Sequence, residues 1–287
     1  SYVPRLAGSS LCAPLLMALL LTSACAKTPM DSPGLDASPA ETADVDASPG
    51  SPGDDVPFAE WRHREPIYEL YVRHFSEQGN FRAVEERLPE LKSLGVGIVW
   101  LLPVTLIGSI EPSAIPEEAA EHGAHAIDAP FGNPYAVKSY ERVNPEYGSD
   151  GTEESAEADL RSLVDRAHEL DMRVIIDWVP NHTAWDNPLI EEHPDWYQWV
   201  EGSAWHIKPV GQDFRWIAQL DWSNTELREY MKGVMVDWVK RFDIDGFRID
   251  FAHHMPLDFF AELRTALEEV KSVFLLAEAS ERSFHPI

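Results

Sequence analysis

The sequence is poor in cysteine and in basic residues, and both shortages restrict its chemistry. Of the 287 residues only 2 are cysteines, Cys12 and Cys25, and both stand near the N-terminus. The rest of the chain therefore offers no thiolate for a zinc or redox site and no disulfide to stabilise a fold. The 49 acidic residues outnumber the 23 lysines and arginines, giving a net charge of -26. This acidity argues against binding to nucleic acid or to an anionic membrane.

Long apolar runs are also scarce, and the N-terminal one is too short to span a membrane as a helix. Residues 11–21, LCAPLLMALLL, follow Arg5 and lead into LTSAC. This pattern is typical of a signal peptide over residues 1–25, and the small residues before Cys25 resemble the lipidation site of bacterial lipoproteins. An ordinary signal peptide, cleaved nearby, is the alternative. We therefore expect export from a bacterial cell, either as a lipoprotein anchored in the periplasm or at the cell surface, or as a secreted protein.

The segment that follows has too few apolar side chains to form a core. Residues 26–57 are rich in Pro, Ser, Ala, Gly and Asp, which predicts a disordered linker. Contact with a membrane is then expected only through the lipid anchor. The remaining chain is apolar enough for a sizeable core, but nothing in it predicts an oligomeric state.

From residue 66 onward, strand-like segments alternate with helix-like segments. Apolar runs predict strands, and apolar residues at helical spacing predict helices. The predicted strands are 66–75, 96–104, 172–180, 245–251 and 272–279, the predicted helices are 82–95, 153–171, 225–242 and 257–270, and residues 105–150 are predicted to be a long loop. Buried strands that alternate with helices indicate a parallel sheet.

Two α/β architectures fit this alternation, an open doubly wound sheet and a (β/α)8 TIM barrel. The turn after the first strand, RHFSEQGNFRAV, contains no G-x-G motif for a phosphate. Polar residues instead collect at the C-terminal ends of the strands, where a barrel builds its active site. We therefore predict an incomplete TIM barrel, with about its first five strands present, formed by residues 58–182 and 223–287. Residues 183–222 are predicted to be a small inserted subdomain after the third strand.

The inserted segment is rich in tryptophan. It holds six of the ten tryptophans of the chain, which are Trp185, Trp196, Trp199, Trp205, Trp216 and Trp222. They could form the core of the subdomain, or one or two of them could stack against the apolar faces of sugar rings. The sequence leaves both interpretations open.

Three predicted strands end in charged side chains. In GFRIDF, residues 246–251, alternation places Phe247 and Phe251 on one face with Ile249, and Arg248 and Asp250 on the other. The next predicted strand ends in LLAEA with Glu278. Because neighbouring strands lie about 4.8 Å apart, we expect the two carboxylates to face each other at about 5 Å. Retaining glycosidases use this separation.

Several motifs resemble the alpha-amylase family, glycoside hydrolase family 13. DWVPNH (177–182), GFRID and LLAEA are similar to the first three of its four signature regions. WLLPV, FGNPYAVKSYERVNPEYGS (131–149) and QLDWSNTELREYM (219–231) also resemble the family, and the likeness covers about residues 66–280. It implies a retaining glycosidase that acts on α-glucans or maltooligosaccharides and needs no organic cofactor.

The resemblance implies a role for each matching charged residue. Asp250 matches the nucleophile that forms a covalent glycosyl intermediate, and Glu278 matches the general acid/base. Glu278 then needs a pKa raised by burial and by Asp250, so that it holds a proton near neutral pH. Arg248 matches the arginine that hydrogen-bonds the nucleophile and keeps it ionised.

The resemblance also implies substrate-binding residues. His182 matches a histidine that binds the sugar in the cleavage subsite, Asp177 matches an aspartate that organises this subsite, and Tyr135 matches the aromatic ring under the same sugar. His254, after His253, matches a position that contacts the next sugar in many members. Solvent-facing histidines after a strand are the alternative for these two.

A calcium site is the further implication. Asn181 matches a calcium ligand of many members, and Asp221 in QLDWSN matches another. Oxygen ligands suit calcium, although many relatives lack this ion.

The fourth signature of the family, a His-Asp pair after the seventh strand, is not found in the 287 residues. We therefore expect this chain to be the N-terminal part of the catalytic domain, ending after the fifth strand and inactive by itself. The parent protein could also be a transglycosylase that transfers glucan to a sugar acceptor, or a surface lipoprotein that binds glucan without turnover.

Overall fold

The computed structural model of the chain describes residues 65–125, 131–201, 207–211 and 214–279. The predicted signal peptide, the lipidation site at Cys25, the linker over 26–57 and Trp205 lie outside these described residues and stay predictions. Within the described ranges, no helix combines the length and apolar character needed to cross a membrane.

Strands and helices alternate along the described chain. The strands are β1 (Ile67–Leu70), β2 (Ile98–Leu101), β3 (Thr105–Ile107), β4 (Val137–Val143), β5 (Arg173–Trp178), β6 (His182–Ala184), β7 (Ile217–Gln219), β8 (Gly246–Ile249) and β9 (Phe274–Ala277). The helices are α1 (Val72–Phe75), α2 (Phe81–Ser93), α3 (Glu117–Glu121), α4 (Glu153–Glu169), α5 (Leu189–Glu192), α6 (Thr225–Phe242) and α7 (Leu257–Glu268). Short 3-10 turns occupy Pro112–Ala114, Pro145–Tyr147, Pro194–Trp196 and Ala252–His254.

Five of these strands form one parallel sheet, in the order β1-β2-β5-β8-β9. The five strands lie side by side in the order in which they occur along the chain. The connections between them contain the helices α2, α4, α6 and α7. A TIM barrel adds its strands in this way. The five predicted strands and the four long helices are all present, with ends that differ by a few residues.

Capping residues fix the ends of the long helices. The Oδ1 atom of Asn224 accepts the N–H groups of Glu226 at 2.9 Å and Leu227 at 3.2 Å, so α6 begins where its first free donors find a partner. Asp243 ends α6 in the left-handed conformation, with φ 53°. The Oγ1 atom of Thr152 caps α4 in the same manner through the N–H group of Ser155.

Two regions differ from the sequence-based expectation. Residues 66–75 were expected to form one strand, but β1 ends at Leu70 and α1 is a short helical turn. The predicted loop over 105–150 contains β3 and β4, which pair antiparallel with two shifts of register. Such a short and irregular pair leaves no alternating pattern in the sequence, because bulges break the period of two.

The inserted segment shares the core of the sheet. Its strands β6 and β7 pair antiparallel, and Trp185, Trp196 and Trp222 are buried in the same cluster as the residues of the sheet. The ring of Trp222 lies 4.6 Å from that of Phe259 on α7. These three tryptophans therefore do not form a separate subdomain core, and the boundary at 183–222 stays a prediction.

The outer strands of the sheet are less covered than the central ones. β5 and β8 are buried along most of their length, whereas Ile67 and Tyr68 of β1 are each 40% exposed. Among the residues that the structure describes, β1 and β9 each pair with one strand only. An exposed apolar strand edge favours association with further strands.

Opposite the strand ends that carry the predicted site, Asp245 ties three elements together. Its Oδ2 atom accepts the N–H group of Val174 at 2.8 Å and lies 2.8 Å from the Nε2 atom of His168 on α4. The Nζ atom of Lys271 lies 3.1 Å from its Oδ1 atom. This buried carboxylate is fully paired, as a buried charge must be, and it fixes the start of β8.

The start of β8 also generates a stability prediction. Gly246 has φ 154°, and a Cβ atom at this position would lie 1.9 Å from the carbonyl oxygen of Phe274 on β9. We expect Gly246→Ala to lower the free energy of unfolding by about 2–3 kcal/mol, because backbone atoms have to move apart. Urea denaturation followed by circular dichroism measures the change.

Gly233→Ala is the matched control. Gly233 lies within α6, and a Cβ atom there meets no atom within 4 Å. This variant should be more stable than the wild type, by up to about 1 kcal/mol, because alanine favours helix. A Gly246→Ala variant as stable as the Gly233→Ala variant would contradict the close contact between β8 and β9.

Candidate active site

Four charged side chains meet at the C-terminal edge of the parallel sheet. Asp177 and Arg248 are paired in the register of β5 and β8. Asp250 follows the last residue of β8, and Glu278 follows the last residue of β9. The sequence predicted this meeting from strand ends, and the structure brings all four residues together.

Arg248 is the centre of the group. Its Nη1 atom donates to Oδ1 of Asp177 at 2.9 Å and to Oδ1 of Asp250 at 2.8 Å. Its Nη2 atom lies 3.0 Å from Oε2 of Glu278. The guanidinium also lies over the ring of Trp100 at 5.2 Å, which adds a cation–π contact. One cation therefore binds three carboxylates.

Asp250 keeps one carboxylate oxygen without a partner. Its backbone N–H donates to the carbonyl of Trp178 at 2.8 Å, and its Oδ1 atom is held by Arg248. Its Oδ2 atom is buried and has no hydrogen-bond partner among the described atoms. A buried polar atom without a partner is costly, and such atoms are common where a substrate is to be bound or attacked.

Phe251 does not lie on the apolar face that strand alternation predicted for it. β8 ends at Ile249, and Phe251 has φ 48° in the left-handed region. This conformation costs a residue with a side chain about 1–2 kcal/mol. It turns the backbone N–H of Phe251 toward Oε2 of Glu278, at 2.9 Å, and places its ring 6.2 Å from that of His182.

Burial raises the pKa of both aspartates. The pKa of Asp250 rises to about 7, because burial and the charge of Asp177 outweigh the attraction of Arg248. Burial also raises the pKa of Asp177 to about 7, against the opposing effect of Arg248. Arg248 was expected to keep the nucleophile candidate fully ionised, but it only partly offsets the cost of taking a carboxylate out of water.

Glu278 departs from the expectation in the opposite direction. Partial burial alone would raise its pKa, but the N–H group of Phe251 and the charge of Arg248 outweigh burial and lower the pKa. The side chain of Glu278 is 47% exposed, because β9 is an outer strand of the described sheet. The raised pKa that was predicted for Glu278 is therefore found at Asp250. The pKa of Asp250 is higher than that of Glu278, which is the reverse of the expected order.

His182 is buried and neutral. Its Nδ1 atom lies 3.2 Å from Nδ2 of Asn181, and its Nε2 atom lies 2.9 Å from the carbonyl of Tyr135. Burial lowers the pKa of His182 to about 4. Both ring nitrogens are thus engaged by the protein, so a sugar can reach this ring only by sharing one of those hydrogen bonds. The hydroxyl of Tyr135 donates to Oδ2 of Asp177 at 3.0 Å.

A cavity of about 240 Å³ is lined in part by Asp250. Its lining combines the four residues Tyr135, His182, Arg248 and Glu278 with apolar groups from other segments. The full lining is Asn133, Tyr135, His182, Val210, Phe214, Trp216, Ile217, Arg248, Asp250, Phe251 and Glu278. Trp216 thus remains a candidate stacking residue, whereas Trp185, Trp196 and Trp222 are buried in the core.

Sequence reasoning missed part of this lining. Phe214 stands in no charged motif, and its place in the lining follows only from the way the inserted segment folds. Trp100, whose ring lies 5.2 Å from the guanidinium of Arg248, begins the WLLPV motif that resembles the family. Asn133 lies in FGNPY, a motif that resembles the family, and this likeness could have identified it. The contribution of the Phe251 backbone leaves no trace in the sequence.

His254 and the two predicted calcium ligands lie at the edge of the site. His254 is exposed, does not line the cavity, and places Nδ1 2.9 Å from Oδ1 of Asn181. The same Oδ1 atom accepts a hydrogen bond from Gln219, and Oδ1 of Asp221 accepts the N–H of Ser223. The described residues contain no group of three or more His, Cys, Asp or Glu that could hold a metal ion. The assignment of Asn181 and Asp221 as calcium ligands stays a prediction.

Comparison with known proteins agrees with this geometry. The family model of the alpha-amylase catalytic domain matches residues 50–273. The alpha-amylase MalA of Haloarcula japonica is 28% identical in an alignment of 231 positions that covers 76% of this chain and 30% of that protein. Trehalose-6-phosphate hydrolase of Bacillus subtilis is 26% identical over 69% of this chain and 36% of that protein.

The crystal structure of an alpha-amylase from Lactobacillus plantarum is similar to this chain, with a TM-score of 0.64 and 35% sequence identity. The match covers 77% of this chain and 46% of the Lactobacillus chain. The chain thus spans about a third to a half of the length of these relatives. The neighbours confirm the predicted fold class, an incomplete TIM barrel with five parallel strands. With a family match over most of its described residues, this chain belongs to the alpha-amylase family of glycoside hydrolases.

Proposed function

We propose that this chain supplies the nucleophile and the general acid/base of a retaining hydrolase acting on α-glucans or maltooligosaccharides. The main supporting observation is that Arg248 binds both Asp250 and Glu278 and that all three residues line one cavity. Oδ2 of Asp250 has no hydrogen-bond partner among the described atoms. Membership of the family supports the reaction class.

The chemistry needs two carboxyl groups in different protonation states. Asp250 attacks the anomeric carbon through Oδ2 and displaces the leaving oxygen, to which Glu278 gives a proton. Water then attacks the anomeric carbon, its bond to Asp250 breaks and frees the carboxylate, and Glu278 takes a proton from that water. The reactive state therefore has Asp250 ionised and Glu278 protonated.

Substrate binding favours this state. Without substrate, burial keeps the pKa of Asp250 near 7, and the Phe251 N–H helps to keep that of Glu278 low. A sugar over the half-exposed Glu278 removes water from it, and desolvation raises a carboxyl pKa. The proton shared by the pair then moves toward Glu278, where the leaving oxygen can accept it.

The walls of the cavity suit a neutral sugar ring. Tyr135 and Trp216 offer aromatic faces to apolar C–H groups, and His182 stays uncharged because its pKa is lowered to about 4. Export, with a lipid anchor at Cys25 or as a secreted protein, is proposed from the N-terminal sequence alone.

A covalent trap tests the assignment of the nucleophile. A fluorinated maltosyl fluoride, incubated with the natural protein that carries this sequence, should form an ester that mass spectrometry locates at Asp250. Asp250→Asn should remain unlabelled, because an amide cannot form the glycosyl ester. Asn224→Asp, outside the lining of the cavity and at the cap of α6, is the control and should be labelled like the wild type.

The outcome also separates the alternatives. Absence of an ester in a protein that binds maltooligosaccharides would contradict the proposal and favour a glucan-binding role. Labelling at another carboxylate would show that the nucleophile is not Asp250. Product analysis with added acceptor sugar then distinguishes hydrolysis from transglycosylation, since only the latter yields a longer glycan.

Replacement of Arg248 tests the electrostatic role of the guanidinium. Its charge lowers the pKa of Asp250 and that of Glu278, so Arg248→Gln should raise both. The pKa of Asp250 should then exceed about 7, and less of this residue should be ionised at neutral pH. Carbon-13 NMR of the labelled carboxyl groups during a pH titration measures the shift.

Arg248→Lys is the control for charge. Lysine keeps the cation but not the two-armed geometry, so its shifts should be smaller than those of the glutamine variant. An unchanged titration of Asp250 in Arg248→Gln would show that Arg248 does not set the charge of the site.

A further inference from the structure

The side chain of Asn181 is fully buried and hydrogen-bonded on both its oxygen and its nitrogen. Its Oδ1 atom accepts from Nε2 of Gln219 at 2.9 Å and lies 2.9 Å from Nδ1 of His254. Its Nδ2 atom lies 3.2 Å from Nδ1 of His182. The side chain has a solvent exposure of 0%, so these protein groups satisfy it in place of water.

These contacts join three separate parts of the chain. Gln219 belongs to β7 of the inserted segment, His254 to the turn after β8, and His182 to β6. The carbonyl of Asn181 adds two hydrogen bonds, from the N–H of Leu220 at 3.1 Å and from Nε2 of Gln219 at 2.9 Å. The inserted segment and the turn after β8 are therefore tied to one residue, which lies between β5 and β6.

A cation would compete for the same oxygen. A side-chain carbonyl oxygen has two lone pairs, and Gln219 and His254 already lie within hydrogen-bonding distance of Oδ1 of Asn181. Calcium takes six to eight oxygen ligands, whereas the neighbours of this atom are nitrogens. Direct hydrogen bonds occupy the position that the family resemblance assigned to an ion.

The nitrogen of the amide selects the tautomer of His182. An amide Nδ2 only donates, so Nδ1 of His182 accepts and the ring proton lies on Nε2. This proton is then donated to the carbonyl of Tyr135 at 2.9 Å. The carbonyl of Tyr135 can only accept, so it and the amide group of Asn181 require the same tautomer and together orient the His182 ring, which lines the cavity.

We propose that Asn181 is a positioning residue that replaces a bound cation, holding the inserted segment and the turn after β8 by direct hydrogen bonds and fixing the tautomer of His182. Its importance for catalysis rests on the proposed function. Its metal independence and its effect on the tautomer do not, and both can be measured without turnover.

The first test compares metal conditions on the wild type. Thermal unfolding is recorded in millimolar EDTA and in millimolar calcium chloride. The Tm should agree within about 1 °C, since a ligand stabilises only by binding the folded state. A Tm that rises by several degrees in calcium and falls again in EDTA would overturn the proposal.

The second test replaces the amide with a carboxylate of the same shape. Asn181→Asp removes the donor to His182 and should lower the Tm by about 5 °C, because a buried hydrogen bond is lost. If the position held calcium, the carboxylate would instead strengthen binding, and calcium would raise the Tm of this variant above that of the wild type. Asn80→Asp, at the cap of α2, is the control and should leave the Tm nearly unchanged.

The third test observes the tautomer directly. Long-range proton–nitrogen NMR should show Nδ1 of His182 unprotonated in the wild type and protonated in Asn181→Asp, where a carboxylate oxygen faces it. His182→Gln assigns the resonance. Gln219→Leu, which cuts one hydrogen bond but keeps the amide, should lower the Tm without changing the tautomer. A protonated Nδ1 in the wild type, or an unchanged Nδ1 in Asn181→Asp, would overturn the proposal.

Discussion

The contact on which the site depends is the one between the guanidinium of Arg248 and three carboxylates. Parallel strands deliver side chains to the same edge, and β5, β8 and β9 bring Asp177, Asp250 and Glu278 there within reach of one cation. A single positive charge cannot neutralise three negative ones, so the group retains a proton near neutral pH. The placement of that proton decides which carboxyl can attack and which can donate.

Backbone geometry influences which of the two carboxyl groups, Asp250 or Glu278, holds the proton, as charge does. The left-handed turn at Phe251 gives Glu278 an N–H donor, while the buried Asp250 keeps an oxygen with none. Hydrogen bonds to an anion favour ionisation, and burial opposes it. The pKa values of the two carboxyl groups therefore differ because Glu278 is half-exposed and accepts a backbone N–H, whereas Asp250 is buried and has one oxygen without a donor.

The sequence predicts the long elements better than the chemical details. α6 has the predicted bounds, because the cap Asn224 and the apolar spacing agree, and strand-end placement identified Asp177, Arg248, Asp250 and Glu278. The β3–β4 pair was not predicted, because β3 has only three residues and the two register shifts in the pair interrupt the alternation of apolar and polar side chains. The order of the pKa values was also missed, since it depends on exposure and on a backbone N–H that no residue type encodes.

The charged side chains around the cavity have a consequence for its electrostatic field. Arg248 is the only lysine or arginine in the described lining, His182 is neutral, and Asp250 and Glu278 face the same space. The net charge of this lining therefore changes with the protonation of Asp250, whose pKa is about 7, so the electrostatic field in the cavity varies with pH around neutrality.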